Sequence, residues 1–295
     1  PQTDTEKLIG RALESVLSQK EYVYEIIVSD DCSTDNNWLV IMEYYKKYPN
    51  IINPFRQKEN LGINRNLEFV WSKSNGDLMI PLSGDDELCN GLFIEVINLI
   101  HFENIDFHNE SFVIYADYES ITPNGEKKRW SNHLISKKYN PISLKIRGLI
   151  NNRTTIISKS VYEKFHLIRP DLGMFADGLI DIQTQMYANQ NYYIPFIGSK
   201  YYSNIGVSVH GDLNSYYKTR IEANNEMIRL LKLNKKDKHF MYYINSYLEF
   251  CINPSVDKFF NTWKYFFKSI YIAKEANLMK ILRRIFTMIL RFINF

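Results

Sequence analysis

The sequence predicts an α/β protein with a mostly parallel sheet flanked by helices, followed by a helical extension. The first observation is that short β-branched runs alternate with amphipathic segments over about 80 residues, the pattern of βαβ units. The second is a change near residue 212, after which the chain consists of helical segments rich in Phe, Tyr, Lys and Arg. We therefore divide the chain into domains at 1–211 and 212–295, and the first domain into halves at 1–90 and 91–211.

The elements of the first half follow in order along the chain. Residues 3–18 form an amphipathic helix whose start carries a Thr3/Glu6 capping box. Strands are expected at "YVYEIIVSDD" and "IINPF", and helices at "NNWLVIMEYYKKY" and "GINRNLEFVWSKS". Asn75 and Gly76 then break the chain before "DLMIPL", which we predict to be a central parallel strand. A later strand, "FVIYADYESI", leads into a Pro-Asn-Gly turn and is either parallel or antiparallel.

Composition excludes several classes of protein. At 295 residues and 45% hydrophobic, the chain can bury a substantial core. Its formal net charge of +3 argues against a dedicated nucleic-acid-binding protein. The widely separated Cys32, Cys89 and Cys251 form no CxxC pair, which argues against a zinc site or disulfide framework and favours a reducing, cytoplasmic compartment. With no secretory signal at its start and no apolar run of about 18 residues, the sequence predicts no membrane-spanning helix.

Two of the predicted strands end in paired acids, Asp30 with Asp31 and Asp85 with Asp86. The carboxyl ends of parallel strands form the ligand-binding edge of an α/β sheet, so both pairs are expected on one edge of one sheet. Neighbouring carboxylates raise each other's pKa unless something holds them ionised, and a hard divalent cation with phosphate oxygens would do so. The alternative is that each pair occupies a solvated turn or caps a helix.

Four linked motifs follow one another in the first 90 residues: Ser15–Gln19, Asp30–Asp35, Asn60–Asn66 and Gly76–Asp86. Together they resemble the nucleotide-binding half of family 2 glycosyltransferases, which have the GT-A fold. The resemblance implies an inverting transfer of a sugar from a nucleotide-diphospho-sugar, a UDP-sugar, to a glycan or lipid-linked acceptor in surface polysaccharide synthesis. Family members have a hydrophobic strand before the segment that begins here at Pro1, so the resemblance also implies that the first strand is missing.

The resemblance also assigns nucleotide-binding roles. Asp30 and Asp31 meet the base and ribose of the nucleotide, where a carboxylate accepts a hydrogen bond from a uracil imide N–H. Arg65 either reaches the diphosphate and lowers the local negative charge or is an exposed helix cation.

The implied metal site is at the second acid pair. Asp85 bridges Mn²⁺ or Mg²⁺ to the donor diphosphate, and Asp86 contacts the ribose or sugar or caps the next helix. Glu87 is expected to be solvated. The family pattern has an acid where this sequence has Ser83, so we expect weak metal binding without nucleotide. His210 is a candidate to complete the metal or phosphate site.

In the second half, "LGMFADGLIDIQTQMYAN" resembles the segment that carries the family's catalytic base. Asp177 would take the proton from the acceptor hydroxyl, although Ala176 replaces the family's Glu. The alternative is an N-cap at Asp177 for a helix over 178–189, and Asp181 is a competing candidate for the base. Tyr201 and Tyr202 either stack on a sugar or belong to the core or surface.

The C-terminal region is strongly basic. From Arg229 onward, thirteen Lys and Arg stand against four Asp and Glu. The segment "ANLMKILRRIFTMILRFINF" fits a helix lying in a membrane interface on the cytoplasmic side, with its basic groups at anionic headgroups. The alternative is a helix packed on the globular domain or on a second subunit.

Two other functions remain open. A nucleotidyltransferase of similar fold would need a Gly-rich basic loop after the first strand, which the sequence does not show. A non-catalytic nucleotide-sugar-binding or assembly protein is favoured by Ser83 and Ala176.

Overall fold

The computed structural model describes residues 5–137, 139–146, 148–151, 153–166, 169, 171–172, 176–203 and 212–269. The chain divides into two compact units, Pro1–Lys145 with Ile150–Val209 and Ile146–Leu149 with His210–Phe295. In chain order the elements are α1 (Thr5–Leu17), β1 (Ile26–Asp30), α2 (Asn37–Lys47), β2 (Ile52–Arg56), α3 (Ile63–Lys73), β3 (Leu78–Met79), β4 (Glu87–Leu88), α4 (Leu92–Glu103), β5 (Phe112–Ile121), β6 (Lys127–Trp130), α5 (Pro141–Ile146), β7 (Thr155–Ser158), α6 (Lys159–Tyr162), α7 (Ala176–Tyr187), β8 (Gln190–Tyr202), α8 (Leu213–Leu230), α9 (Lys235–Ile252) and α10 (Val256–Ser269).

The predicted helices and strands are confirmed over residues 5–75, whereas Thr3 of the predicted capping box lies outside the described residues. β1 and β2 form a two-stranded parallel sheet whose register runs from Ile26 opposite Ile52 to Asp30 opposite Arg56. Pro54 is tolerated in β2 because this short strand pairs on one side with β1. Apolar side chains from α1, α2 and both strands form the core of this layer: Leu13, Leu17, Val28, Ile41 and Ile52.

The second sheet of the described chain has the strand order β3-β7-β5-β8-β4, with β6 added to β5. β5 pairs in parallel with β8 and antiparallel with β6 and β7, and β4 pairs antiparallel with β8. The first five residues of β5, from Phe112 to Ala116, are fully buried, since the strand has neighbours on both sides and α4 contributes to the same core. The hairpin between β5 and β6 turns at Gly125, whose φ of 80° suits glycine.

The prediction of a central parallel strand at "DLMIPL" is wrong. Pairing is limited to Leu78 and Met79, and it is antiparallel, with β7. Pro81 has no N–H to contribute to a ladder, so the strand stops early. Ile80 and Leu82 nevertheless pack against the main core, which explains their apolar character without strand pairing.

A close approach at Gly198 brings β8 against its neighbours. A Cβ at this position would lie 2.5 Å from Cγ2 of Thr154 and 2.9 Å from Cδ1 of Leu92. Glycine therefore permits the packing of β8 on α4 and on the start of β7.

The second unit contains three helices in its described part, α8, α9 and α10, in the region after residue 212 where the sequence predicts helical segments. Asp212 caps α8 by accepting a hydrogen bond from the Ser215 N–H at 2.8 Å. Aromatic and aliphatic side chains of α9 form the core of the unit: Phe240, Tyr243, Ile244 and Leu248. The predicted interfacial segment 276–295 lies outside the described residues. Among the described helices, none is both long enough and apolar enough to span a membrane.

Candidate functional site

The second acid pair lies in a tight turn between β3 and β4. The Asp86 N–H donates to the Ser83 carbonyl at 3.1 Å, which closes the turn. Ser83 is exposed, Asp85 is half-buried and Asp86 is 7% exposed. We call residues 83–87 the acid turn.

Helix α1 holds the segment that follows the acid turn. The Ser15 hydroxyl accepts a hydrogen bond from the Leu88 N–H at 3.0 Å. One turn later, the buried Gln19 amide donates to the Cys89 carbonyl at 3.3 Å and accepts from the Gly91 N–H at 2.9 Å. The Ser15–Gln19 motif is therefore structural: its two polar side chains satisfy main-chain groups that β4 leaves unpaired.

Arg11 extends this polar stripe toward the acid turn. It precedes Ser15 by four residues, so both side chains lie on one face of α1. Its guanidinium donates to the Asp85 main-chain carbonyl, and its Nε lies 3.7 Å from Glu87 Oε2. The guanidinium carbon is 3.6 Å from the centre of the Tyr202 ring, a cation–π contact.

A second arginine, Arg153, lies just before β7 and faces Asp86. The guanidinium carbon of Arg153 is 3.7 Å from the centre of the Tyr201 ring, and its NH1 is 3.7 Å from Asp86 Oδ2. The other oxygen of Asp86 accepts from the Tyr202 N–H at 3.2 Å. Two consecutive tyrosines at the end of β8 thus each make a cation–π contact with an arginine beside the acid turn.

Burial and the neighbouring Asp85 carboxylate raise the pKa of Asp86 from 3.8 to about 6. The Tyr202 N–H and the charges of Arg153 and Arg11 act in the opposite direction. The surroundings of Asp86 therefore disfavour its ionised form.

The expectation that Glu87 is solvated is wrong. Its side chain is 13% exposed and pairs with the Lys200 ammonium across the β4–β8 ladder, where the two residues are directly opposite. Cross-strand pairing explains this burial, because it places an opposite charge next to Glu87.

Asp30, at the end of β1, is 4% exposed. Its Oδ2 lies 3.2 Å from Arg56 Nε, and its Oδ1 accepts from the Ser33 N–H at 3.3 Å. The ion pair follows from the parallel register, which places Asp30 opposite Arg56.

Asp31 organises the loop before α3. Its Oδ1 accepts from the Leu61 N–H at 2.8 Å and its Oδ2 from the Gly62 N–H at 2.9 Å. Gly62, with φ of 79°, is the N-terminal boundary residue of α3. Both carboxylate oxygens of Asp31 are therefore engaged in main-chain hydrogen bonds.

The Asn60–Asn66 motif also has a structural component. The Asn66 amide donates to the Ser29 carbonyl at 3.2 Å and accepts from the Ser29 hydroxyl at 2.6 Å. These bonds tie α3 to β1. Arg65 is exposed on α3, which leaves both of its predicted roles open.

The sequence model of one protein family, glycosyl transferase family 2, matches residues 3–165, which is more than half of the chain. The chain belongs to glycosyl transferase family 2. The predicted family is confirmed, and the match extends the resemblance well beyond the first 90 residues.

The curated relatives of this family 2 chain match part of it. An uncharacterised protein of Mycobacterium bovis is 29% identical over 123 residues, 41% of this chain and 34% of its own length. The chain therefore spans about a third of the length of that curated relative.

Two solved structures have the same fold. S. aureus TarS (residues 1–349) in complex with UDP-GlcNAc has a TM-score of 0.61 at 15% identity, covering 88% of this chain and 76% of that one. The mannosyltransferase PcManGT from Pyrobaculum calidifontis, in complex with GDP-Man and Mn²⁺, has a TM-score of 0.54 at 12% identity, covering 98% and 78%. The predicted GT-A-like α/β fold is confirmed.

The two acid pairs of the family 2 chain do not end strands of the same sheet, contrary to the sequence prediction. Asp30 ends β1 in the two-stranded sheet, whereas Asp85 and Asp86 lie between strands of the larger sheet. Within the described residues no hydrogen bond or ion pair joins the two pairs. Alternation along a sequence predicts strands, but it does not determine which strands share hydrogen bonds.

The predicted catalytic segment forms α7, which begins at Ala176 and so includes Asp177 in its first turn. The competing candidate, Asp181, forms an ion pair with the Lys145 ammonium. His210 lies outside the described residues.

The acid turn fits a divalent cation that a diphosphate also binds. No group of three or more His, Cys, Asp and Glu able to hold a metal is found in the described part of the chain. Asp85 and Asp86 nevertheless offer two carboxylates, and burial, followed by the charge of Asp85, raises the pKa of Asp86, so that its ionised form is disfavoured in the metal-free protein. Phosphate oxygens and water would supply the remaining ligands of a hard cation.

Sequence reasoning missed Arg11 and Arg153. Arg11 carried a usable signal, since it stands four residues before Ser15 on the polar face of α1. Arg153 carried none, because its approach to Asp86 depends on how β7 and β8 are placed in the sheet.

Proposed function

We propose that this protein is an inverting, metal-dependent glycosyltransferase that moves a sugar from a UDP-sugar to a hydroxyl of a glycan or lipid-linked acceptor in surface polysaccharide synthesis. The observation that carries the proposal is the acid turn, in which Asp85 and the buried Asp86 are flanked by Arg11 and Arg153. Paired carboxylates with adjacent arginines suit a cation and the phosphates it neutralises.

In the proposed complex, Asp85 would hold Mn²⁺ or Mg²⁺ at the donor diphosphate. We extend this role to Asp86, for which the family resemblance implied a contact with the ribose or sugar, because its carboxylate interacts with that of Asp85 in the acid turn. The cation would stabilise the negative charge that develops on the departing nucleoside diphosphate. Its presence in the PcManGT complex supports this assignment. We infer low affinity for the metal alone, because Ser83 is a neutral residue where the family pattern has an acid.

The nucleoside part is assigned to the end of β1 and the loop before α3. Asp30 would bind the base. Asp31 would bind the nucleoside together with the main chain at Leu61 and Gly62, whose N–H groups donate to its carboxylate. We infer UDP rather than another nucleotide because a carboxylate can accept from the uracil imide N–H. The TarS complex with UDP-GlcNAc supports this inference.

Asp177 is the proposed base. A single carboxylate that takes the acceptor proton as the hydroxyl attacks the anomeric carbon would produce inversion. Asp181 is less suited to the role, since its carboxylate is already bound to the Lys145 ammonium. His210 is proposed to complete the metal or phosphate site.

The acceptor is proposed to be a glycan or a lipid-linked glycan. The excess of basic residues after Arg229 would favour peripheral contact with anionic lipids on the cytoplasmic face of a membrane. Dimerisation through residues 212–295 is the alternative use of the same region.

A donor screen tests the proposal. Hydrolysis and thermal shift are measured with UDP-, GDP- and CMP-sugars, each with and without Mn²⁺. The expected result is a shift with UDP-sugars that depends on Mn²⁺, together with slow release of UDP. A protein that binds UDP-sugars without turning them over in the presence of acceptor extracts would instead be a binding protein. Pyrophosphate release from UTP and a sugar phosphate would indicate a nucleotidyltransferase.

A further inference from the structure

We propose that Arg153 binds the β-phosphate of the donor, after leaving Asp86 when a divalent cation takes its place there. This inference rests on the proposed function, because it requires a nucleotide-diphospho-sugar at the acid turn. Arg153 would then serve as the counterion of Asp86 in the free protein and of the diphosphate in the complex.

The main chain at Arg153 is firmly held. Its N–H donates to the Asn151 side chain at 2.9 Å, and its carbonyl accepts from the Ser199 hydroxyl at 3.5 Å. The next residue, Thr154, is fully buried, and its hydroxyl lies 2.5 Å from that of Ser199. The base of the Arg153 side chain is therefore fixed beside the acid turn.

The guanidinium of Arg153, by contrast, is loosely held. It is 3.7 Å from Asp86 Oδ2, beyond hydrogen-bond distance, and the side chain is 39% exposed. In the part of the chain that the structure describes, this guanidinium donates no hydrogen bond. Stacking on Tyr201 leaves its planar N–H groups free to turn toward another anion, because a ring face imposes no directional bond in the guanidinium plane.

Arg129, in the same protein, is an arginine whose guanidinium is held by hydrogen bonds to a carboxylate. It donates to Asp117 Oδ2 through both Nε, at 2.9 Å, and NH2, at 2.5 Å. Asp117 is fully buried and also accepts from the Asn132 N–H and the Tyr193 hydroxyl. These two hydrogen bonds to one carboxylate oxygen make the pair structural, whereas the contact of Arg153 with Asp86 leaves hydrogen-bonding capacity on the arginine.

The other cations near the acid turn are already engaged. Arg11 donates to the Asp85 carbonyl, and Lys200 pairs with Glu87. Arg11 keeps an unbonded Nε, but that atom is buried, whereas the Arg153 side chain is the more exposed of the two and its guanidinium donates no hydrogen bond within the described residues.

Charge balance explains why Arg153 would leave Asp86 only when the divalent cation and the diphosphate bind together. The acid turn carries three acids, Asp85, Asp86 and Glu87, opposed by three cations, Arg11, Arg153 and Lys200. A divalent cation alone would disturb this neutrality, but a cation together with the two negative charges of a diphosphate preserves it. Metal and diphosphate are therefore expected to bind cooperatively.

The test compares wild type with Arg153→Gln by calorimetry with UDP and Mn²⁺, by ligand-observed NMR with uridine, and by Mn²⁺ binding alone. A lost charge-assisted hydrogen bond should weaken UDP binding in Mn²⁺ by about 10- to 100-fold. Uridine affinity should stay within about 2-fold, because no phosphate is present. Binding of Mn²⁺ alone should tighten, since the competing cation on Asp86 is gone.

Two further variants make the result specific. Arg153→Lys keeps the charge but loses the planar fork, so an intermediate loss of UDP affinity is expected. Lys46→Gln removes an exposed charge from α2 and should bind UDP as wild type does. Unfolding curves of each variant establish that it is folded.

The inference is overturned if Arg153→Gln binds UDP like wild type, if UDP and uridine weaken by the same factor, or if Mn²⁺ alone binds more weakly. If wild type itself binds no nucleoside diphosphate in Mn²⁺, the proposed function fails first and the inference fails with it.

Discussion

The Ser15 hydroxyl on α1 accepts a hydrogen bond at 3.0 Å from the N–H of Leu88, 73 residues away in the chain. The same hydroxyl donates to the Ala12 carbonyl at 2.7 Å, so its orientation is set by its own helix. This contact connects α1 to the strand that leaves the acid turn. Together with Arg11 and Gln19, it makes one face of α1 a support for the proposed metal site.

Replacing Ser15 with Ala should destabilise the protein. Leu88 is buried, and its N–H would lose its acceptor, which costs about 1 to 3 kcal/mol. Chemical denaturation measures the change in the free energy of unfolding. The matched control is Ser18→Ala, in the turn that follows the same helix. The hydroxyl bonds of Ser18 are exposed, and their loss should cost less than about 0.5 kcal/mol. Equal losses for the two variants would contradict a supporting role for Ser15.

Gly198→Ala should also destabilise the protein, by overpacking. The added methyl would lie 2.5 Å from Thr154 Cγ2, and forcing it in should cost about 1 to 3 kcal/mol. Gly10→Ala, in helix α1, is the control. Its added Cβ would lie 3.6 Å from the hydroxyl oxygen of Tyr44, which is an ordinary van der Waals contact. That change should stabilise the protein by about 0.5 to 1 kcal/mol. A Gly198→Ala protein as stable as wild type would show that β8 can move away from α4.

The pKa of Asp86 predicts a pH-dependent stability in metal-free buffer. Its pKa is about 6 in the folded protein against an ordinary 3.8, so the folded state binds the proton more tightly than the unfolded state. Stability from this group is therefore complete below pH 3.8 and is lost as the pH rises through 6. At pH 7.5 the ionised Asp86 costs on the order of 2 to 3 kcal/mol.

Asp86→Asn should consequently raise the melting temperature at pH 7.5 in EDTA by several degrees, with little change at pH 4. Thermal unfolding at both pH values measures the difference. Asp106, which is exposed and whose pKa is lowered by Asn109, provides the opposite case: Asp106→Asn should give no stabilisation at pH 7.5. A loss of stability in Asp86→Asn of the same size at both pH values would refute the prediction.

Ser83→Asp should tighten binding of Mn²⁺ in the absence of nucleotide by about 10-fold, because it adds a hard anionic ligand to the acid turn. Manganese electron paramagnetic resonance measures the free ion. Asp85→Asn, which removes the proposed ligand, should abolish the Mn²⁺ dependence of UDP binding. If Ser83→Asp leaves Mn²⁺ affinity unchanged, the acid turn is not the metal site.

Asp177→Asn should lower turnover by about 10²- to 10⁴-fold while donor binding stays intact, as expected for loss of a general base. Turnover is followed by UDP release in the presence of acceptor, and binding by calorimetry. Asp181→Asn is the comparison, because it removes the competing carboxylate one turn later. Loss of turnover in Asp181→Asn with normal turnover in Asp177→Asn would exchange the two assignments.

Much of the local structure could be predicted from residue order alone. Helices α1, α2 and α3 and strands β1, β2 and β5 lie where apolar periodicity placed them, since side-chain spacing along one segment reflects which face is buried. The prediction of a central parallel strand at 77–82 was wrong, because Pro81 and the pairing partner mattered more than apolar character. The prediction that Glu87 is solvated was wrong for a similar reason, since its cross-strand partner Lys200 is 113 residues away in the chain.

By itself, the sequence determined the family, the α/β class and the positions of the acids, because these depend on short motifs and local periodicity. Tertiary structure alone decided which strands pair, that Asp31 is engaged by main-chain N–H groups, and that Arg11 and Arg153 reach the acid turn on adjacent tyrosines. The physical reason is that hydrogen-bond ladders and ion pairs join residues far apart in the chain, and their partners become neighbours when the sheet forms.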